Sequence, residues 1–243
     1  MDNGIYVSTS GAVGHMRKLD EITNNLANVN VPGYKKDVQV FEEYLTKETA
    51  EGTATEITKD TAFVHVSKVV TDFSQGITAK TDNPTDLAIM GDGFFVIDTP
   101  EGPRYTRKGD FIIDDKGQLI TKDGNPVKAS YGVIKLTSTD ITIVDSGRIT
   151  GYGTVLGKLD IVVFEKPYNL TKAGAGLFIA DEGATPKPAT GAKVMQGYLE
   201  RANTNAVKEM VSMITALRSY ESQMKLIQSF DKITEQAISL GGR

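Results

Sequence analysis

The sequence predicts an α+β protein: N- and C-terminal helices pair as a coiled-coil-like polymerisation domain, and a central antiparallel all-β domain lies between them. Two observations carry this expectation. Near both ends of the chain apolar residues recur in alternating steps of four and three, the seam of a packed helix pair. Between them, turn residues arrive every few positions and separate short runs of branched and aromatic residues. A chain of 243 residues suffices for one or two domains with cores of ordinary size.

The first element, over residues 1–36, reads as a helix followed by a stop. Its seam is Ile5, Thr9, Ala12, Met16, Leu19, Thr23 and Leu26, widened by Val13, Ile22 and Ala27. Gly4, Gly11 and Gly14 each lower helix stability by about 1 kcal/mol relative to alanine, so this helix needs partners. Asn28, Asn30, Pro32 and Gly33 end it. Residues 37–61 read as an extended connector, rich in Thr, Glu and Ala towards its end.

The β domain is expected over 62–200. Turn signals include Gly91-Asp92-Gly93, Glu101-Gly102-Pro103, Asp115-Lys116-Gly117, Asp123-Gly124-Asn125 and Asp145-Ser146-Gly147. Strands are expected at Phe94–Ile97, Phe111–Ile113, Ile141–Val144 and Leu159–Phe164, with a loop at 181–192.

The last element, 201–243, carries the longest periodic run. Asn205 can cap it and Glu209 lies in its positive first turn. The seam is Ala206, Met210, Met213, Leu217, Tyr220, Met224 and Ile227, continued one residue out of register by Phe230, Ile233, Ala237 and Leu240. Neither proline nor glycine interrupts Asn205–Leu240. Each seam is too wide for one partner helix to cover, so neighbouring chains are expected to supply the rest.

Composition narrows the function classes. The net charge is −4 with both signs interspersed, so neither nucleic acid nor an anionic membrane is an expected partner. The chain has no cysteine, which excludes disulfides, thiol chemistry and most structural zinc sites. The start MDNGIYVSTSGAVGHMRKL has an acidic residue and three hydroxyl residues where a secretory signal needs a basic start and an apolar run. No stretch has the roughly 18 apolar residues of a membrane span. On these grounds alone the expected compartment is the cytoplasm.

No enzymatic constellation stands out. His15 and His65 have no carboxylate cluster at ligand spacing and read as surface or packing residues. Ser222-Gln-Met-Lys225 matches S-x-x-K but sits inside a helical seam without the companion motifs. Gly151 to Gly157 has the wrong spacing for a dinucleotide fingerprint, and no helix pattern follows it. Asp114 and Asp115 before Gly117 lack the ligand series of a calcium loop and read as a hairpin turn. Asn169-Leu-Thr171 is a sequon only formally. No catalytic, cofactor-binding or metal-ligating residue is therefore expected. Asn24, Asn25, Asn28 and Asn30 stand out instead. Their amides suit two roles: capping backbone groups at a helix end, or bonding between packed subunits.

Asn24-Asn-Leu-Ala-Asn-Val-Asn-Val-Pro-Gly-Tyr34 resembles the N-terminal motif of the bacterial flagellar rod and hook proteins, with Val31 where that family usually has threonine. Further likeness lies in Asn83-Pro-Thr-Asp-Leu-Ala-Ile89, Gly91-Asp-Gly-Phe-Phe95, Tyr105-Thr-Arg-Lys-Gly-Asp-Phe111 and Gln196-Gly-Tyr-Leu-Glu200. It continues through Asn203, Asn205, Val207, Glu209, Met210 and Val211. The resemblance spans nearly the whole chain. Met1-Asp2, Ile5-Tyr6 and the stretch from Tyr220-Glu221 to Met224-Lys225 resemble the proximal rod members, and residues 36–62 are short for the distal ones.

The resemblance implies a structural subunit of the rod, the drive shaft between motor and hook. It implies export through the flagellar type III apparatus without a cleaved signal, which overrides the cytoplasmic expectation. Assembly in the periplasm onto itself, rod neighbours and hook-side subunits would follow, without membrane insertion. The expected assembly interface is Leu19, Asn24, Asn25, Leu26, Asn28, Asn30, Met210, Met213, Leu217, Tyr220, Met224 and Ile227. The competing readings are a distal rod subunit, a non-polymerising binding module and an enzyme acting on peptidoglycan.

Overall fold

The computed structural model describes residues 2–46, 61–130, 141–144, 147–151 and 154–241. Helix α1 spans Asp2–Ala27 and α2 spans Ala206–Gly241, with strands between them. Strands β1 (Asp37–Thr46) and β2 (Thr61–Thr71) come first. There follow β3 (Thr78–Lys80), β4 (Leu87–Met90), β5 (Phe94–Thr99), β6 (Gly102–Thr106), β7 (Ile112–Ile113) and β8 (Leu119–Ile120). Next are β9 (Ile141–Ile143), β10 (Arg148–Gly151), β11 (Thr154–Lys158) and β12 (Ile161–Val163). The remainder are β13 (Leu170–Gly174), β14 (Leu177–Ala180), β15 (Lys187–Pro188), β16 (Lys193–Gln196) and β17 (Tyr198–Glu200). The strand ladders are antiparallel, as the close spacing of turn residues requires.

The chain forms two compact units that interleave in sequence. One comprises Met1–Ala27, Asp37–Asp72 and Asn205–Arg243; the other comprises Asn28–Lys36 and Phe73–Thr204. This differs from the expected order in two places. Residues 37–46 are not an extended connector but strand β1, paired with β2 from Asp37↔Thr71 to Thr46↔Thr61, and this hairpin clusters with the helices. The stop segment 28–36 clusters with the β region instead of with the helix it follows. The rest of the expected connector, 47–60, lies outside the described residues.

In the β unit, a six-stranded sheet runs in the order β13-β14-β6-β5-β12-β15. Strand β5 is central, and Phe94 to Ile97 are all buried. Side chains alternate across a strand. Phe95 and Ile97 therefore enter one core with Leu87, Ile89, Phe111, Leu119, Ile149 and Leu159. Phe94 and Val96 enter the other with Tyr105, Phe164, Leu170 and Phe178. Edge-to-face aromatic pairs order both cores, Phe95 with Phe111 at 5.2 Å and Tyr105 with Phe164 at 4.8 Å. At the hairpin turn expected around Asp114, its Oδ1 accepts from the N–H groups of Lys116 (2.9 Å) and Gln118 (2.6 Å), which closes the turn between β7 and β8.

In the helical unit, α1 and α2 lie against each other, close enough that a Cβ on Gly11 would sit 3.5 Å from the Gln223 side chain. The buried stripe of α1 includes Ser8, Ala12, Ile22 and Asn25, with His15, Leu19 and Leu26 half-buried. On α2 it centres on buried Ala216, flanked by Glu209, Met213, Tyr220, Gln223, Ile227 and Phe230. Both stripes share one heptad position with the expected seams, through Ala12, Leu19 and Leu26 and through Met213, Tyr220 and Ile227. At the alternate position each stripe is displaced by one residue: Ser8, His15 and Ile22 replace Thr9, Met16 and Thr23, and Glu209 and Ala216 replace Met210 and Leu217. One residue is 100° of helix, so the mean rotation is about 50°. The physical reason is close approach. Gly11, Ala12 and Ala216 put little side chain between the helices, and the long apolar side chains are left on the flanks.

Candidate assembly surface

The rotation leaves an uncovered apolar face on each helix. On α2, Val207, Met210, Val211, Ile214 and Leu217 recur at steps of three and four and are all exposed, Val207 to 71% and Ile214 to 52%. On α1, Val13 and Met16 are exposed on one side, and Val7 is exposed on the opposite side. A single apolar side chain in solvent is ordinary; a contiguous row along a helix marks a binding surface.

The expected interface residues divide between three environments. Met210 and Leu217 lie on the uncovered face of α2, and Asn24 and Asn30 are exposed. Leu19, Leu26, Asn28, Met213, Tyr220, Met224 and Ile227 are half-buried. Asn25 is buried, and its carboxamide meets Asp37 as a strand partner would. Nδ2 donates to Asp37 O at 2.9 Å, and Asp37 N donates to Oδ1 at 3.0 Å. One turn earlier on α1, Glu21 Oε2 accepts from Gln39 N at 3.1 Å, and Lys18 Nζ holds the same carboxylate at 2.9 Å.

The spacing explains the match. Helix residues four apart are about 6 Å apart along the axis, and alternate strand residues about 6.6 Å. Two side chains of α1 thus satisfy successive donors of β1, where a bare edge strand would offer them to another chain. For Asn25, the capping role is the one the geometry supports.

The Pro-Gly-Tyr-Lys segment that follows α1 has a different anchor, inside the β unit. Lys35 Nζ lies 2.6 Å from Glu200 Oε1 and donates to Ser74 O at 2.6 Å. Arg107 Nη1 lies 3.3 Å from Glu200 Oε2 and also donates to Ile89 O at 3.2 Å. All three side chains are at most 4% exposed. Glu200 further accepts from Gly76 N through Oε1 (2.8 Å) and from Gly33 N through its carbonyl (2.7 Å). Burying a charge is costly unless it is paired and hydrogen-bonded, and here one carboxylate serves two cations and an amide.

Gly33 has a positive φ of 67°, and a Cβ on it would lie 2.4 Å from the Arg107 carbonyl carbon. Sequence reasoning placed Gly33, Arg107 and Glu200 in separate motifs. Nothing local in the chain signals that residues 165 positions apart meet.

Among the described residues no group of three or more His, Asp or Glu side chains could hold a metal ion. No helix among them is long and apolar enough to cross a membrane. Three family descriptions match the chain: "Flagella basal body rod protein" over residues 5–35, "Flagellar hook protein FlgE/F/G D1 domain" over 88–151 and "Flagellar basal body rod FlgEFG protein C-terminal" over 195–240. The chain is 32% identical to the flagellar basal-body rod protein FlgF of Caulobacter vibrioides, over 100% of this chain and 99% of that one. The chain belongs to the flagellar basal-body rod protein family. Another relative of this family, FlgG of Bacillus subtilis, is 32% identical over 99% of both chains. FlgG of Borreliella burgdorferi is 33% identical over 96% of both. As a rod-family member the chain is a structural subunit, and the lack of an enzymatic constellation in its sequence agrees with a family of structural proteins. Each of the three matched segments contributes to the Lys35–Glu200–Arg107 cluster.

Proposed function

We propose that this rod subunit polymerises through the uncovered faces of α1 and α2. In the assembled rod these helices continue as a coiled-coil-like array, onto further copies and onto neighbouring axial proteins, including those on the hook side. It reaches the periplasm through flagellar type III export, without a cleaved signal. The observation that carries the reading is the exposed row Val207, Met210, Val211, Ile214 and Leu217. Within one chain the two helices leave it uncovered, and burying it against a neighbour gains roughly 25 cal/mol for each Å² removed from water. Interface membership of Leu19, Asn24, Leu26, Asn28, Asn30, Met210, Met213, Leu217, Tyr220, Met224 and Ile227 is part of this proposal, with Asn25 acting from inside the chain.

The proximal position is favoured by length. The alignment with the Caulobacter FlgF spans 248 residues, whereas that with the Bacillus FlgG spans 265. Distal members are expected to carry a longer segment between the first helix and the β region than residues 36–62 provide here. Identity, at 32% in both, does not separate them.

Ile214→Asp tests the assembly face. The purified variant is expected to melt like the parent, because Ile214 is exposed, yet to be missing from isolated basal bodies and to abolish swimming. An unchanged content of the variant in basal bodies would rule the face out. Labelling the subunit in isolated basal bodies tests the position: label at the motor end of the rod supports the proximal reading, and label beside the hook supports the distal one.

A further inference from the structure

The chain enters the β unit through residues 28–36 and leaves it through 201–204. These two segments are fastened to each other at the base of everything between them. Gly33 N donates to Glu200 O (2.7 Å), and Asn203 N donates to Tyr34 O (3.3 Å). Lys36 N donates to Asn203 Oδ1 (2.8 Å), and the Lys35–Glu200 ion pair is buried.

A third segment is tied to both where the chain re-enters the unit after Asp72. Ser74 O accepts from Lys35 Nζ (2.6 Å) and from Asn203 Nδ2 (3.2 Å). Gly76 N donates to Glu200 Oε1 (2.8 Å), and Arg201 N donates to Ile77 O (2.9 Å). The approach is close, since a Cβ on Gly76 would lie 2.0 Å from Arg201 O.

We infer that this three-way fastening is a tension clamp. Force entering along residues 28–36 crosses directly to 200–204 through the Gly33–Glu200, Lys35–Glu200 and Asn203 bonds. The sheets of the β unit carry no load until the clamp parts. The buried carboxylate suits a clamp because water cannot readily replace its partners, and parting Lys35 from it breaks a buried ion pair. The use of such a clamp in a drive shaft rests on the assembly reading above. Its existence does not, and it can be read on single molecules.

The chain has no cysteine, so introduced thiols are unique attachment points. Asn30→Cys with Val207→Cys places handles just outside the clamp, and Asp123→Cys with Glu182→Cys places them on exposed turns within the β unit. Each pair is pulled in an optical trap in the otherwise complete chain. The outer handles are expected to give one high-force rupture. The sequence between Lys35 and Glu200, 165 positions apart, then extends by about 580 Å at roughly 3.5 Å per residue.

Lys35→Met is expected to lower that rupture force and leave the force between the inner handles unchanged. Asn203→Ala removes the bonds to Lys36 and Ser74 while the buried carboxylate keeps its partners. It is expected to have the same effect to a smaller degree, and it remains informative if Lys35→Met fails to fold. Equal weakening at both handle pairs would overturn the clamp and leave a merely stabilising cluster, as would an outer rupture force that neither variant changes. Failure of the subunit to assemble would alter neither result.

Discussion

Glu200 illustrates how one residue can decide whether a surrounding segment is ordered. Its carboxylate is fully buried between Lys35 and Arg107. Glu200→Gln keeps the shape and removes the charge, so two cations are left in a site that solvent does not reach. Breaking a buried pair in this way costs about 3–5 kcal/mol. For a chain of this size that is a fall in Tm on the order of 10 °C, readable by circular dichroism. Gly33→Ala acts at the same place without touching a charge. The left-handed backbone costs an alanine about 1–2 kcal/mol, and its methyl group would meet the Arg107 backbone at 2.4 Å. The variant is expected to melt at least as low as Glu200→Gln. A melt within 2–3 °C of the parent, less than about 1 kcal/mol at this size, would mean that the segment 28–36 contributes little to the β unit.

Adjacent positions on α2 separate pairing within the chain from contact beyond it. Ala216 is buried against the helical unit, and Leu217, one residue on, is 42% exposed. Ala216→Asp is expected to lower the melting of the helices in the isolated chain, because a buried charge has no partner there. Leu217→Asp is expected to leave that melt within error and to abolish self-association by sedimentation. If both variants melted alike, the two faces would not be distinct. The extent of α2 was legible from its uninterrupted period, Asn205–Leu240 within the expected element 201–243, against Ala206–Gly241 observed. Its facing was not. A four-three repeat admits two neighbouring stripes, and small residues such as Ala216, which bring helices together, carry little weight in an apolar pattern. The β1–β2 hairpin had a usable signal in the alternating valines of Asp37-Val-Gln-Val40 and Val64-His-Val66. The polar stretch between the two strands hid it.

For the whole molecule, interleaving changes what a protease should release. The helices of dilute monomer, with one face uncovered, are marginal alone, so cleavage is expected within 1–27 and 205–243 before the β unit is cut. Continued digestion within 37–72 should then separate residues 28–36 from 73–204 in sequence but not in space. The short segment is expected to co-elute with the large one in native buffer and to part from it in denaturant, which mass measurement of each fraction would show. A large fragment that loses the short one under native conditions would contradict the buried Lys35–Glu200 contact. Equal resistance of helices and β unit in dilute monomer would favour a closed module that does not polymerise. The cluster behind this expectation escaped sequence reading because its members are far apart and charged, and hydrophobic periodicity is silent about buried charge. The strands around it, such as Phe94–Thr99 and Ile161–Val163, fell within a residue or two of the runs that announced them.

The interleaving also sets what can be inherited separately. A recombination event that replaced only codons 73–204 would pair an incoming Arg107–Glu200 site with the resident Lys35, and the hybrid would fold only if the two still fitted. Exchange confined to 37–72 meets no such barrier within the β unit. The short stretch after the first helix and the β unit are therefore expected to co-vary across lineages as one heritable block, although a hairpin's length of unrelated sequence lies between them in the gene.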